Sequence, residues 1–231
     1  MFFGYFYGDW SLLIVLPALI LTIWAQFSVQ SAYHKYSRIP IGHGMTGESA
    51  ARRILDANGL HHVRIEPIAG EMTDHYDPRT QVIRLSSGVY ASNSIAAVGI
   101  ASHEAGHAVQ HAVGYTPIRL RTAIIPVCNF GSMAAMPLFI IGLLVASDAL
   151  MTVGILAYAT VTLFQLITLP VELNASARAM RALGGSGYLT AEETKGARRV
   201  LRAAAMTYVA ALATSLLSLL RLLLLASNRR R

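Results

Sequence analysis

His103 and His107 stand four residues apart with Glu104 directly after the first, in the run Ala-Ser-His-Glu-Ala-Gly-His at residues 101–107. On an α-helix such a pair projects from one face, one turn apart. Both imidazoles can then reach one ion, while Glu104 flanks it without ligating. This HExxH pattern belongs to metal-assisted peptide hydrolysis. A catalytic zinc takes three protein ligands, keeps a further position for water, and lowers the pKa of that water toward about 7. Glu104 is placed to act as general base, accepting the proton of the attacking water and passing it to the leaving amine.

Two histidines leave one ligand to be supplied from elsewhere. Glu172 is the best candidate, because it ends a hydrophobic stretch on the same expected side of a membrane as His103. The plain alternative for it is an interfacial carboxylate at a helix end. His111 lies a further ~6 Å along a straight helix, and no glycine turn separates it from His107, so it reads as a supporting or surface residue. His75, in Asp74-His75-Tyr76-Asp77-Pro78, is either a solvated turn residue or a group at the substrate edge or oxyanion. His34, His43, His61 and His62 read as loop or surface residues, and Arg178 as a snorkelling side chain. The single Cys128 excludes a disulfide framework and a Cys-rich zinc site.

The elements that must hold these groups are marked by caps and periodicity. Ser92-Asn93-Ser94 opens the motif helix, and Gly114 and Pro117 close it. An earlier short helix starts at Thr46-Gly47-Glu48 and stops at Asn58-Gly59. Val63–Glu66 and Gln81–Leu85 alternate apolar and polar residues around the turn-rich stretch 74–80, which predicts a small β-hairpin. A later helix continues through Pro170 to Ala179 and breaks at Leu183-Gly184-Gly185-Ser186-Gly187. Another follows from about Thr190 to Arg202, with Thr190 and Glu193 in a capping-box pattern.

Hydrophobic residues make up 54% of the chain and charged ones 13%, against about 25% charged in soluble domains. A bilayer is implied. Residues 11–27, 124–147, 149–171 and 206–226 are each long and apolar enough to span one. The first has no basic residue before it and a long apolar run, so it reads as a retained anchor. The last carries Arg221 and leads into Arg229-Arg230-Arg231, so it either crosses or lies along the interface. Of the 19 Lys and Arg residues, nine fall within 28–122 and six within 171–204, and the positive-inside rule makes that side cytoplasmic. The net charge of +7 suits loops beside anionic lipid, and no aromatic-interleaved basic patch points to nucleic acid.

These readings give a mainly α, integral membrane protein with about four transmembrane helices and a small zincin-like α+β cytoplasmic portion. Its parts are an anchor at 1–27, a metal-site segment at 28–122, two transmembrane helices at 123–171, a polar segment with the third-ligand Glu at 172–204, and an apolar helix with a basic tail at 205–231.

The chain also resembles the membrane zinc metallopeptidases of the YugP type, of the gluzincin class. The residues that carry the resemblance are Met45-Thr46-Gly47, Asp56-Ala57-Asn58-Gly59-Leu60, Thr73 to Thr80, Val82-Ile83-Arg84-Leu85-Ser86, Ser94 to Val98, the HExxH helix with Ala108 and Gln110, and Leu169-Pro170-Val171-Glu172. The resemblance implies Zn2+ held by His103, His107 and Glu172, with Glu104 as catalytic base. Asn174 stands where the family often has Asp, which bears on tuning of the site rather than on ligation. The expected function is a membrane-anchored zinc endopeptidase acting on membrane-associated or membrane-proximal polypeptide at the cytoplasmic face of a bacterial cytoplasmic membrane. The expected partners are a polypeptide substrate and the lipid bilayer, with no nucleic acid. A non-proteolytic zinc-binding scaffold is the rival reading and requires a closed fourth ligand. Proteolysis inside the bilayer is disfavoured by the Ser, Asn, Gln and His residues around the motif.

Overall fold

The computed structural model describes residues 11–185, 187 and 189–229. Its elements are α1 (Leu12–Tyr36), α2 (Gly47–Ala57), β1 (Arg64–Ile68), β2 (His75–Asp77), β3 (Val82–Ser86), α3 (Ser87–Tyr90), α4 (Ile95–Ala112), α5 (Thr116–Leu144), α6 (Asp148–Gly185) and α7 (Ala191–Arg229). α1, α5, α6 and α7 are long and apolar enough to cross a membrane. The protein is therefore mainly α, with one three-stranded sheet. The C-terminal polar helix and the last apolar stretch, which the sequence leaves as two elements, are one continuous helix, α7.

The chain divides into two compact units. The apolar unit takes α1 up to Ala25, residues 120–169, and α7 from Thr207. Inside it, α5 and α6 approach through glycine: a Cβ on Gly154 would sit 2.7 Å from the Phe139 nitrogen, and one on Gly142 would sit 2.6 Å from the Met151 nitrogen. Small residues permit this close packing where neighbouring lipid supplies no hydrophobic drive. Phe139, Met151, Ile155, Leu222 and Ala226 form the buried cluster of the unit. Phe130, Met133 and Leu156 project outward and are largely exposed, as expected of side chains that meet acyl chains. Arg221, within the apolar stretch of α7, donates from Nε to the Ser11 hydroxyl at 3.1 Å.

The second unit comprises residues 26–119 and 170–206. Thr46 caps α2 through a reciprocal pair of bonds with Ser49, and Asn58-Gly59 ends it with Gly59 at φ +71°, as the sequence predicts. The expected two-strand hairpin is not what forms. β1 and β3 pair in parallel, Arg64 opposite Val82 through Ile68 opposite Ser86. β2, drawn from the supposed turn, pairs antiparallel with β3, so the strand order is β1-β3-β2. Alternation fixes which face of a strand is buried but not its direction. A parallel return needs a linker of about a dozen residues, and the stretch from 69 to 81 provides one. Asp77 makes the β2–β3 turn by accepting from the Arg79 N–H and the Thr80 hydroxyl at 2.9 and 2.7 Å.

Val82, Ile83 and Leu85 of the central strand are fully buried. Ile83 and Leu85 join Leu55 of α2, Val89 of α3, and Ala97, Ala101 and Ala105 of α4 in one core. The alanine face lets α4 lie close against α2 and the sheet. The His103–His107 helix is thereby fixed along its length rather than by its ends alone.

Candidate metal centre

α4 begins where the Ser94 hydroxyl accepts from the Ala97 N–H at 3.2 Å, satisfying a backbone donor that the first turn leaves open. Two turns further on, the His103 and His107 rings meet edge to face with centroids 4.7 Å apart. Glu172, just past Pro170 on α6, comes to the same place. Its Oε2 lies 3.2 Å from His103 Nε2 and 3.5 Å from His107 Nε2. The ligand atoms of these three residues lie within 4.8 Å of one another, and they are the donor group of this kind among the described residues.

The approach of α6 to α4 depends on Gly106. A Cβ there would stand 2.7 Å from the Ala175 carbonyl oxygen and 3.3 Å from its carbonyl carbon. The small residue inside HExxH therefore has a local cause: it admits the backbone that carries Glu172 one turn away.

Hydrogen bonds behind the three donors fix which nitrogen each ring presents. His107 Nδ1 donates to Gln110 Oε1 at 3.0 Å, and His103 Nδ1 is 3.1 Å from the Ser176 hydroxyl. Both Nε2 atoms are thus turned toward Glu172. Gln110 is fully buried, and its amide donates to the Val171 carbonyl at 2.8 Å and to Asn174 Oδ1 at 3.0 Å. Asn174 Oδ1 also accepts from Arg178 Nε at 2.8 Å. Partners of this kind hold ring orientation and raise ligand basicity in metal sites.

The donor set fits zinc. Tetrahedral ligands about 2.0–2.1 Å from an ion stand roughly 3.3–3.5 Å from each other, close to the Glu172 separations from the two histidines. Two neutral imidazoles and one carboxylate match a borderline-soft cation with a position to spare. Glu172 is 3% exposed and His107 8%, so the centre is shielded, with His103 the more accessible side. Burial lowers the proton affinity of His107, but its bond to Glu172, the Glu104 and Glu172 charges and its bond to Gln110 outweigh this and raise its pKa. A proton and a metal ion therefore compete for the same negatively charged pocket.

Glu104 is 8% exposed. Nearby, Asp74 accepts from the Ser86 N–H at 2.7 Å and from its hydroxyl. Burial lifts the Asp74 carboxyl above its ordinary value against those bonds, and the Glu104 charge adds to the rise. Sequence reasoning did not single out Asp74, Ser86 or Ser176 for the site. Gln110 entered through the family resemblance and as one of the polar residues around the motif, and Asn174 through the resemblance alone. The remaining histidines lie outside the three-donor group. His111 rests against the Tyr76 ring with centroids 5.6 Å apart, and His75 Nδ1 donates to the Thr73 carbonyl at 2.8 Å.

The chain matches the family model described as "Putative neutral zinc metallopeptidase" over residues 11–227. It is 48% identical over 217 residues to "Putative membrane protease YugP" of Bacillus subtilis (strain 168), covering 94% of this chain and 96% of that relative. No solved structure matches it. The chain is a membrane protein and belongs to this zinc metallopeptidase family, whose cofactor is Zn2+.

Proposed function

We propose that the protein is a membrane-anchored zinc endopeptidase that cleaves membrane-associated or membrane-proximal polypeptides at the cytoplasmic face of a bacterial cytoplasmic membrane. The observation that carries this reading is the convergence of His103, His107 and Glu172 at separations suited to one ion, with Glu104 next to the first of them. His103, His107 and Glu172 hold the metal, which supplies the Lewis acidity that makes water nucleophilic near neutral pH. Glu104 takes the proton that water loses and returns it to the amine that departs. No hydrogen bond to a described residue ties up its carboxylate, which leaves both oxygens for that exchange.

The substrate strand is received at β2. That short strand pairs with β3 on one side and adjoins α4 through the Tyr76–His111 contact. Its outer backbone groups offer an extended polypeptide main-chain bonds alongside the motif helix. The cytoplasmic side follows from the basic residues in segments 28–122 and 172–204. These two segments form the catalytic portion, and 1–27, 123–171 and 205–231 hold it to the bilayer. The scaffold alternative lacks support, because the donor cluster holds three residues rather than four among those described.

The test is zinc content and cleavage of a denaturation-prone membrane protein by wild type and the Glu104→Gln variant in detergent. Zinc retained with cleavage lost in the variant is the expected result. Zinc absent from wild type would refute the metallopeptidase reading.

A further inference from the structure

A groove of about 540 Å3 lies within the second unit, between the Leu173–Arg181 stretch of α6 and the Arg198–Ala205 stretch of α7. Its wall is apolar at Leu173, Met180 and Leu201, and three guanidinium groups, from Arg181, Arg198 and Arg202, line it. Arg198 and Arg202 share one face of α7 at i, i+4, where like charges repel. Several arginines of the unit are engaged: Arg52 with Asp56, Arg84 with Asp77, Arg178 with Asn174, and Arg199 with the Tyr36 hydroxyl. The three groove arginines are not among them. Beyond the Arg181 Nε bond to the Ala177 carbonyl at 3.3 Å, none makes a hydrogen bond or ion pair to a described residue. All three side chains are exposed and so open to an incoming anion, and planar guanidinium groups are matched to phosphate.

We infer that this groove seats the phosphate headgroup of an anionic membrane lipid. The occupant must be both anionic and apolar, since the arginines share the groove with Leu173, Met180 and Leu201. A phospholipid has that composition, and a free phosphate does not. In sequence, Leu173 comes two residues after the apolar stretch ending at Val171, and Ala205 directly precedes the one starting at Met206. The groove residues thus belong to the polar margins of two span-length helices, the setting in which basic pockets take lipid headgroups. The volume lies in the range of about 300–1,000 Å3 typical of small-ligand sites, enough for a headgroup and the first chain carbons. Ser176 lines the same groove and bonds His103 Nδ1, so the seat borders the metal centre through one shared side chain.

The full-length protein in neutral detergent is titrated with phosphatidylglycerol or phosphatidylcholine of identical chains, and bound lipid is counted by native mass spectrometry. Wild type retains phosphatidylglycerol preferentially. Arg198→Gln with Arg202→Gln weakens that retention about thirtyfold, from roughly fivefold per basic group. Arg64→Gln with Arg79→Gln, which removes the same charge at the sheet, leaves it unchanged. Ala177→Trp fills the groove without altering charge and also weakens retention, which keeps the test decisive if the double arginine variant misfolds. Equal retention of the two lipids by wild type, or wild-type retention by both groove variants, overturns the inference. So does inorganic phosphate alone, or an acidic peptide alone, raising the melting temperature as much as phosphatidylglycerol. None of these readouts uses peptidase activity, so the lipid seat and the proteolytic reading can fail separately.

Discussion

Two glycines of α4 should respond to the same substitution with opposite signs. At Gly106 an added methyl would sit 2.7 Å from the Ala175 carbonyl oxygen, whereas at Gly99 it would meet the Ala197 Cβ at 3.5 Å. Alanine gains about 1 kcal/mol over glycine inside a helix in either case. At Gly99 nothing opposes that gain, so Gly99→Ala raises stability by about 1 kcal/mol, or about 2–4 °C in Tm for a chain of this size. At Gly106 the contact must open by about 0.6 Å to become tolerable, and overpacking of that kind costs about 1–3 kcal/mol, leaving Gly106→Ala neutral to about 2 kcal/mol less stable. The larger effect is on metal. Ala175 is three residues from Glu172 on the same helix, and zinc sites tolerate only about 0.2 Å in ligand distance. Parting α4 from α6 therefore weakens zinc binding at least tenfold. The assay is zinc affinity by chelator competition, with Tm in the same detergent. Gly106→Ala binding zinc like wild type, or the two variants behaving alike, would refute the packing argument.

Gln110→Leu leaves His107 Nδ1 and the Val171 carbonyl without their partner, which costs about 1–3 kcal/mol and about 10–100-fold in zinc affinity. Gln110→Glu keeps an acceptor for Nδ1 and is expected to retain more of that affinity, by the same competition assay. Stripping zinc from protein held at about 1,000 times Kd removes about 4 kcal/mol of linkage stabilisation, lowering Tm by about 8–16 °C; an unchanged Tm would show that the ion does not bind the folded state preferentially. Asp77 is held down to about 2 by the Thr80 hydroxyl, the Arg79 N–H and the Arg84 guanidinium. Because its folded value is depressed, its contribution to stability is complete above about pH 4 and lost as pH falls through about 2. The Tm gap between wild type and Asp77→Asn should therefore narrow across that window, and a constant gap would contradict it.

What the sequence disclosed and what it withheld divide along locality. The pairing of His103 with His107, the caps at Thr46, Ser94 and Thr190, and the four apolar stretches are set by residues within a turn or two, and each can be read from spacing. The bonds confirm the last of those caps: the Thr190 N–H donates to Glu193 Oε2 at 2.7 Å and the Glu193 N–H returns to the Thr190 hydroxyl at 3.2 Å. Strand order was not legible, because alternation is blind to direction and β2 spans only His75–Asp77. Ser176 and Asp74 were not legible either. Each acts through a partner 12 or more residues away, 73 for Ser176 with His103 and 12 for Asp74 with Ser86, and a lone Ser or Asp carries no spacing signal. Gly106 was legible: a glycine costs stability inside a helix, so beside Ala105 it points to close approach of a neighbouring helix or of substrate, and the Ala175 backbone makes that approach.

The separation of 69 residues from His103 to Glu172 also sets a schedule. A ribosome adding about 5–20 residues per second needs roughly 3–14 s to reach Glu172 after releasing His103 from its active site. During that interval the nascent chain carries two of the three proposed metal donors. Both intervening apolar helices must be synthesised before the carboxylate exists to complete it. On the proposed function, a polypeptide able to cut its neighbours is thus unarmed while it is itself unfolded, and zinc capture becomes a timestamp for the end of assembly rather than its beginning.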